Sequence, residues 1–283
     1  MTLVIGRVQE GRAFMAGDWW ITWEDSYGNR KRATFLNGQP KVWQLRQDVC
    51  VGYAEDEAAA MSCIRQLHND LPLAADEITR RLRSASALAE VDFLLLLQTP
   101  EGPEIRRISG GKSRPGTYHW IGSKSAHLSL LQLRPGSTPS CDAADAIDMD
   151  LNALARLVSL GRTPGVGGTM ITAVSADGGI HSVQTALRYE GRPKPIDPVT
   201  ADLARREVDE GYTFEVLHSK PGNEPAVALY FSSGQLGAIW RLHDTNAPVL
   251  LRGVDRTAFR EATSELGLTF QGVYIEPKAS PNP

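Results

Sequence analysis

The sequence predicts an α+β chain in which sheets are covered by layers of paired helices, with a second, smaller α+β segment at its C-terminal end. Three observations carry this. Apolar residues at strand spacing and at helical spacing come in blocks, in the order strands, two helices, strands, two helices, strands. The stretch "YEGRPKPIDP" (189–198) holds three prolines and reads as a linker, so a core of residues 1–188 precedes an extension of residues 189–283. A chain of 283 residues with 42% hydrophobic content is long enough for one large domain and a smaller one.

Residues 2–9 and 12–18 are apolar-rich and flank Glu10-Gly11. Glycine at the second turn position permits φ > 0, so the pair reads as a tight hairpin whose partner numbers sum to 21. Thr2 then lies across from Trp19 with Asp18 as its diagonal neighbour, and strict alternation puts the Asp18 side chain on the other face. Residues 24–40 are polar and contain glycine, a loop or an extended hairpin tip. "KVWQL" (41–45) and "DVCVGYA" (48–54) are two more strands. Asp56 caps the first helix, whose apolar face is Met61, Ile64 and Leu67. A second helix covers residues 73–87, and strands follow at 91–98 and 104–109. After "YHWIGSKS" come helices at 126–133 and 148–160, the latter striped by Leu151, Leu154, Leu157 and Val158. "GGTMITAVSADGGIHSV" (167–183) is a strand, an Asp-Gly turn and a strand. The extension reads as a helix at 200–210, strands near 214–218, 226–231, 236–242 and 249–252, and a last helix from Asp255 to Gly267.

Several function classes fall away. A net charge of −3 without a long basic block gives no nucleic-acid footprint. "FLLLLQ" (93–98) is far short of the ~20 apolar residues that span a bilayer, so no membrane partner is expected. The N-terminus lacks a basic region followed by an apolar segment, which makes the cytoplasm the default location. The three cysteines are odd in number and widely spaced, as suits reduced thiols. The six histidines include no pair three to five residues apart, and neither a metal nor an organic cofactor is expected. "GGKS" (110–113) has Arg106 where a phosphate loop needs its leading glycine, and "GVGGT" (165–169) lacks the loop's lysine. Trp19, Trp20 and Trp23 read as core or interface residues.

Chemistry enters at the second residue. Methionine is normally trimmed before a small residue, which would leave Thr2 with a hydroxyl and a free α-amine. Such an amine has a pKa of about 7.7 to 8.0, near the working pH where a general base is most useful. The hydroxyl can then act as nucleophile with its own amine as base. It needs a cation to depress the amine pKa, a carboxylate to hold that cation, and backbone N–H groups for the oxyanion. Asp18, Lys41 and Gly52 are candidates for these parts, with Asp18 acting through the lysine and Gly52 presenting its N–H at a strand end.

"TLVIGRVQEGRAFMAGD" resembles the amino terminus of proteasome β subunits and their bacterial proteasome-like relatives, the Ntn hydrolases with an N-terminal threonine. The family carries its aspartate sixteen residues after the threonine, as Asp18 follows Thr2. Lys41-Val42-Trp43-Gln44-Leu45 matches the Lys-Val-x-x-Leu string of the bacterial relatives. "VGYAEDEA" (51–58), "WIGS" (120–123) and "GVGGTMITAV" (165–174) match further segments in order, so the likeness covers residues 2–188. It implies a four-layer αββα Ntn-hydrolase sandwich of two antiparallel sheets between two helix layers. It further implies threonine-dependent peptide-bond hydrolysis, with Thr2 as nucleophile and base, Lys41 tuning pKa, Asp18 orienting Lys41, Gly52 as oxyanion donor and Ser123 in support. A homo-oligomeric ring enclosing peptide or unfolded-protein substrate belongs to the same implication; an ATPase unfoldase partner is left open.

The sequence also departs from that family. Lys41 lies thirty-nine residues after Thr2, several more than usual, an insertion the 24–40 loop can absorb; Lys31 is an alternative without the following Val-x-x-Leu. Thr163 and Val166 stand where active members have Asp and Ser. The C-terminal extension has no counterpart in a minimal β subunit, and reads either as serving assembly or access or as an appended domain. Two rival functions follow: a ring scaffold or binding chamber with weak or no catalysis, and an Ntn amidohydrolase of small amides.

Overall fold

The computed structural model describes residues 2–19, 22–24, 30–32, 38–134, 143–160, 166, 169–176, 178–189, 212–231, 234–244, 248–265, 268 and 273–275. The chain divides into two compact units, Met1–His181 and Ser182–Pro283.

In the first unit, β1 (Leu3–Gln9) and β2 (Arg12–Asp18) join through Glu10 and Gly11, both at positive φ (50° and 75°), as a primed hairpin turn requires. The register is the expected one, with Val4 opposite Gly17 and Gln9 opposite Arg12. A short pair, β3 (Thr22–Glu24) and β4 (Arg30–Arg32), falls inside the polar 24–40 stretch and its margin. β5 (Val42–Arg46) and β6 (Val49–Glu55) follow, then α1 (Glu57–Asn69) and α2 (Ala75–Leu88). Asp56 caps α1 by accepting the Ala59 N–H at 3.0 Å, and Met61, Ile64 and Leu67 are buried as the helical spacing requires.

β7 (Val91–Thr99) and β8 (Gly102–Ser109) pair antiparallel. β9 (Lys112–Gly116) is a strand the sequence reading lacks. Gly110 and Gly111 form the β8–β9 turn, which is what the phosphate-loop lookalike "GGKS" does here. Next come β10 (Tyr118–Gly122), α3 (Lys124–Leu133), α4 (Ala143–Leu160), β11 (Met170–Ala176) and β12 (Gly179–Tyr189).

These strands make two antiparallel sheets, ordered β5-β6-β7-β8-β9 and β10-β1-β2-β11. Alternation gives the second sheet two apolar faces. Leu3, Ile5, Phe14 and Ala16 pack on Ala126 and Leu130 of α3 and on Leu154, Leu157 and Val158 of α4. Val4, Met15 and Gly17 turn to the five-stranded sheet, where they meet Gly52 and Val42. Helices α1 and α2 bury Ile64, Leu67, Ile78 and Leu82, with α2 tied to β8 through an Arg106–Thr79 hydrogen bond of 3.0 Å. The unit is thus a multi-sheet, helix-flanked α+β sandwich. A buried ion triad fastens one helix layer to its sheet: Asp150 of α4 accepts Arg7 of β1 at 2.6 Å and lies 2.9 Å from Arg134. Removing either charge from such a site strands the others, which makes it a point of high stake for this layer.

In the second unit, β12 from Ser182 onward pairs antiparallel with β13 (Tyr212–His218). β14 (Ala226–Phe231), β15 (Leu236–Arg241) and β16 (Val249–Arg252) extend the sheet, α5 (Arg256–Glu265) follows, and β17 (Val273–Ile275) pairs parallel with β12. Asp255 caps α5, accepting the Ala258 N–H at 2.8 Å. Phe259 of α5 stacks on Tyr230 with ring centroids 5.1 Å apart, in a core shared with Leu217, Ala228 and Ile239. The expected linker at 189–198 begins one residue early, since Tyr189 is the last residue of β12 and pairs with Tyr212. Residues 190–198 and the helix expected at 200–210 lie outside the described residues. Among the described residues, no helix is long and apolar enough to cross a membrane.

Candidate functional site

Thr2 sits just before β1 and is buried, as is Asp18 at the end of β2. The hairpin register puts Leu3 directly across from the position of Asp18, one step beyond the Val4–Gly17 pair. One carboxylate oxygen of Asp18 accepts the Leu3 N–H at 2.9 Å and also accepts the Thr2 hydroxyl. This corrects the expectation that Asp18 acts only through Lys41. Alternation binds residues inside a ladder, and Thr2 precedes the strand, so its side chain is free to turn toward the carboxylate.

Thr2 is anchored from the other side by β10. Its carbonyl accepts the Ser123 N–H at 2.7 Å. Gly122, at φ 92°, lies so close that a Cβ there would overlap the Thr2 carbonyl oxygen, so both the dihedral and the space demand glycine. Ser123 is the N-cap of α3: its hydroxyl accepts the Ala126 N–H at 3.2 Å and lies 3.0 Å from the Ser125 hydroxyl. Its backbone therefore holds Thr2, while its hydroxyl serves the helix.

Lys41 forms the bend before β5 and is 4% exposed. Its carbonyl accepts the Tyr53 N–H at 3.0 Å. Its ammonium lies 3.4 Å from the Tyr53 hydroxyl, 4.8 Å from the Tyr53 ring centroid and 3.7 Å from a Glu57 carboxylate oxygen. Burial pushes the lysine below its ordinary range, opposed by the charges of Glu57 and Asp18. Burial also pushes Tyr53 well up, so its phenol stays protonated, and raises Glu57, against the pull of Lys41. Asp18 thus acts on Lys41 through its field while its oxygen contacts Thr2 and Leu3. Tyr53 and Glu57 are the members the sequence reading missed. Both lie in the quoted "VGYAEDEA", but only the turn from β6 into α1 brings them onto one lysine.

Gly52 is not at a strand end. It lies inside β6, opposite Val42 on one side and Leu94 on the other. A Cβ at this position would come 2.8 Å from Val4 and 2.9 Å from Met15 of the facing sheet. Close packing of the two sheets accounts for a glycine at this position.

Val166 is fully buried, and Thr163 lies outside the described residues. Thr169, one residue before the Met170–Asp18 pair, is buried with its hydroxyl unpartnered among the described residues. Trp19 is buried beside Gly38, while Trp20 is outside the described residues. Among the described residues, no three His, Cys, Asp or Glu side chains converge in a group that could hold a metal.

Fold and site together define a helix-flanked, two-sheet α+β unit with a buried hydroxyl–carboxylate contact beside a buried lysine. No protein-family model matches the chain, and no curated protein matches its sequence.

Proposed function

We propose that the chain is a proteasome-like N-terminal threonine peptidase of the Ntn-hydrolase type, active once Met1 is removed and assembled as a homo-oligomeric ring around its substrate. The observation that carries this is the Thr2 hydroxyl donating to Asp18, with the buried Lys41 ammonium in the field of the same carboxylate. In the reaction the Thr2 α-amine takes the hydroxyl proton as Oγ1 attacks the peptide carbonyl. The tetrahedral oxyanion collapses, and the ammonium returns its proton to the departing amine. Water, deprotonated by the same amine, then attacks the Thr2 ester; the acyl C–Oγ1 bond breaks, the ammonium returns the proton to Oγ1, and the acid is released. Lys41 as a cation favours the neutral amine and the developing alkoxide; Asp18 holds the hydroxyl in place.

The test is chemical. Intact mass is expected to show Met1 absent, and a peptide β-lactone is expected to add one ester, mapped to Thr2 by peptide mass spectrometry. Thr2→Ala should take no label. Label that persists in Thr2→Ala places the nucleophile elsewhere. Assembly is checked by mass photometry at modest salt, where a species many times 30.9 kDa is expected; a monomer over a wide concentration range removes the ring. A second reading, a ring scaffold without turnover, is favoured by buried apolar Val166 and by the Ser123 hydroxyl committed to its helix. It predicts the assembly without the ester.

A further inference from the structure

We propose that Glu57 is a positioning residue of this site, a second carboxylate that shares the Lys41 ammonium with Asp18. Its consequence for catalysis rests on the threonine-hydrolase reading; the pairing itself does not. Lys41 is enclosed by three elements, and each supplies one ionisable group toward it: Asp18 from β2, Tyr53 from β6 and Glu57 from the first turn of α1. Among the described residues, the contacts to the ammonium within 3.7 Å are those of Glu57 and Tyr53. Tyr53 is held neutral by burial, so Glu57 is the nearby charge. Glu57 itself is faced along α1 by Asp56 and Arg65, of opposite sign to each other.

The local structure explains why this carboxylate is available. Asp56 already satisfies the N-terminus of α1, so Glu57 is released from capping and turns back over the β6–α1 corner. Its side chain is 26% exposed, against 5% for the lysine. Burial raises the Glu57 pKa, the Lys41 charge pulls it back down, and the carboxylate in turn opposes the burial that would neutralise the lysine. Glu55, the residue before the cap, takes a left-handed conformation (φ 73°) that sharpens this corner.

Removing the Glu57 charge leaves burial less opposed, so Lys41 should lose its proton at a pH lower by about one unit, the small end of the range for an opposite charge at such a distance. On the threonine-hydrolase reading, the alkaline limb of Thr2 acylation moves down by the same amount, because the cation that supports the amine disappears earlier. The experiment titrates the Lys41 side chain by NMR of 13Cε-labelled lysine in the full chain, in wild type, Glu57→Gln and Glu57→Asp. The β-lactone labelling rate is measured over the same pH range. Glu57→Gln is expected to shift both curves down together, and Glu57→Asp, which keeps the charge, to restore most of the shift. A Lys41 titration unchanged in Glu57→Gln overturns the proposal. A wild-type protein that takes no label at all counts against the threonine hydrolase alone, and the NMR titration still decides the pairing.

Discussion

Lys41→Met is expected to slow β-lactone acylation of Thr2 by roughly 100- to 10,000-fold, the span that a proton-transfer step of this kind contributes. Methionine matches the buried lysine stem and leaves the apolar contacts of that stem in place. It removes the cation on which the charges of Glu57 and Asp18 both act. The Thr2 α-amine then titrates higher, and less of it is the free base. The hydroxyl remains hydrogen-bonded to Asp18, so binding of the lactone should change little and the loss should fall in the chemical step. Lys41→Arg keeps the charge, but its planar guanidinium does not fit a site that is 4% exposed, and an intermediate rate is expected. The measurement is the second-order labelling constant from intact-mass time courses, with melting temperatures to confirm folding. A Lys41→Met rate within a few-fold of wild type, with Met1 gone, would remove Lys41 from the mechanism.

The second unit is expected to lose stability in mild acid through His218. This residue of β13 shares a sheet face with Val216, Val227, Leu229 and Trp240, all buried. Its Nε2 has no hydrogen-bond partner among the described residues, and burial pushes its pKa down to about 3. In the unfolded chain the imidazole titrates near its ordinary value of about 6.5. Between those two pH values the unfolded state binds a proton that the folded state does not, so unfolding becomes easier as pH falls through this window. The loss begins near pH 6.5 and is complete near pH 3, where both states are protonated. Its full size is about 5 kcal/mol, comparable to the whole stability of a small domain. His218→Leu should remove this component, and at neutral pH should also relieve the unsatisfied nitrogen, a gain of about 1 kcal/mol. Hydrogen exchange of the β13 and β14 amides, followed from pH 7 to pH 4.5 in the full chain, reads the effect directly. Parallel pH dependences in wild type and His218→Leu would exclude it.

The parts of this protein legible in its sequence are those set by neighbours along the chain. Glu10-Gly11 specifies a primed turn, and that turn specifies the β1–β2 register, because two left-handed residues leave one way to continue the ladder. Asp56 and Asp255 announce their helices, since a cap satisfies N–H groups two and three residues on. The runs that became β6, β7, β14 and β15 are apolar enough to be buried on both faces, and read as strands for that reason. β9 escaped because "KSRPG" has no apolar alternation; it pairs because a two-glycine turn folds it back on the edge of β8. β17 escaped because its partner, β12, is distant in sequence.

At the candidate site the same division holds. Thr2 and Asp18 could be placed near each other from the hairpin alone. The contact between their side chains depends on where the ladder ends, and on Gly122 and Ser123 pressing Thr2 from a strand more than a hundred residues away. Gly52 looked like a backbone donor in sequence. The second sheet, closing on it with Val4 and Met15, adds a packing reason for the glycine that the sequence does not show. Glu57 stands sixteen residues from Lys41 and carries no mark of its role, because an ion pair across a strand–helix corner is a property of distance in space. Sequence alone determines turns, caps and apolar runs, which are short-range; the surroundings of Lys41, the packing of Gly52 and the isolation of His218 were decided by tertiary structure, because desolvation and Coulomb interaction act through space.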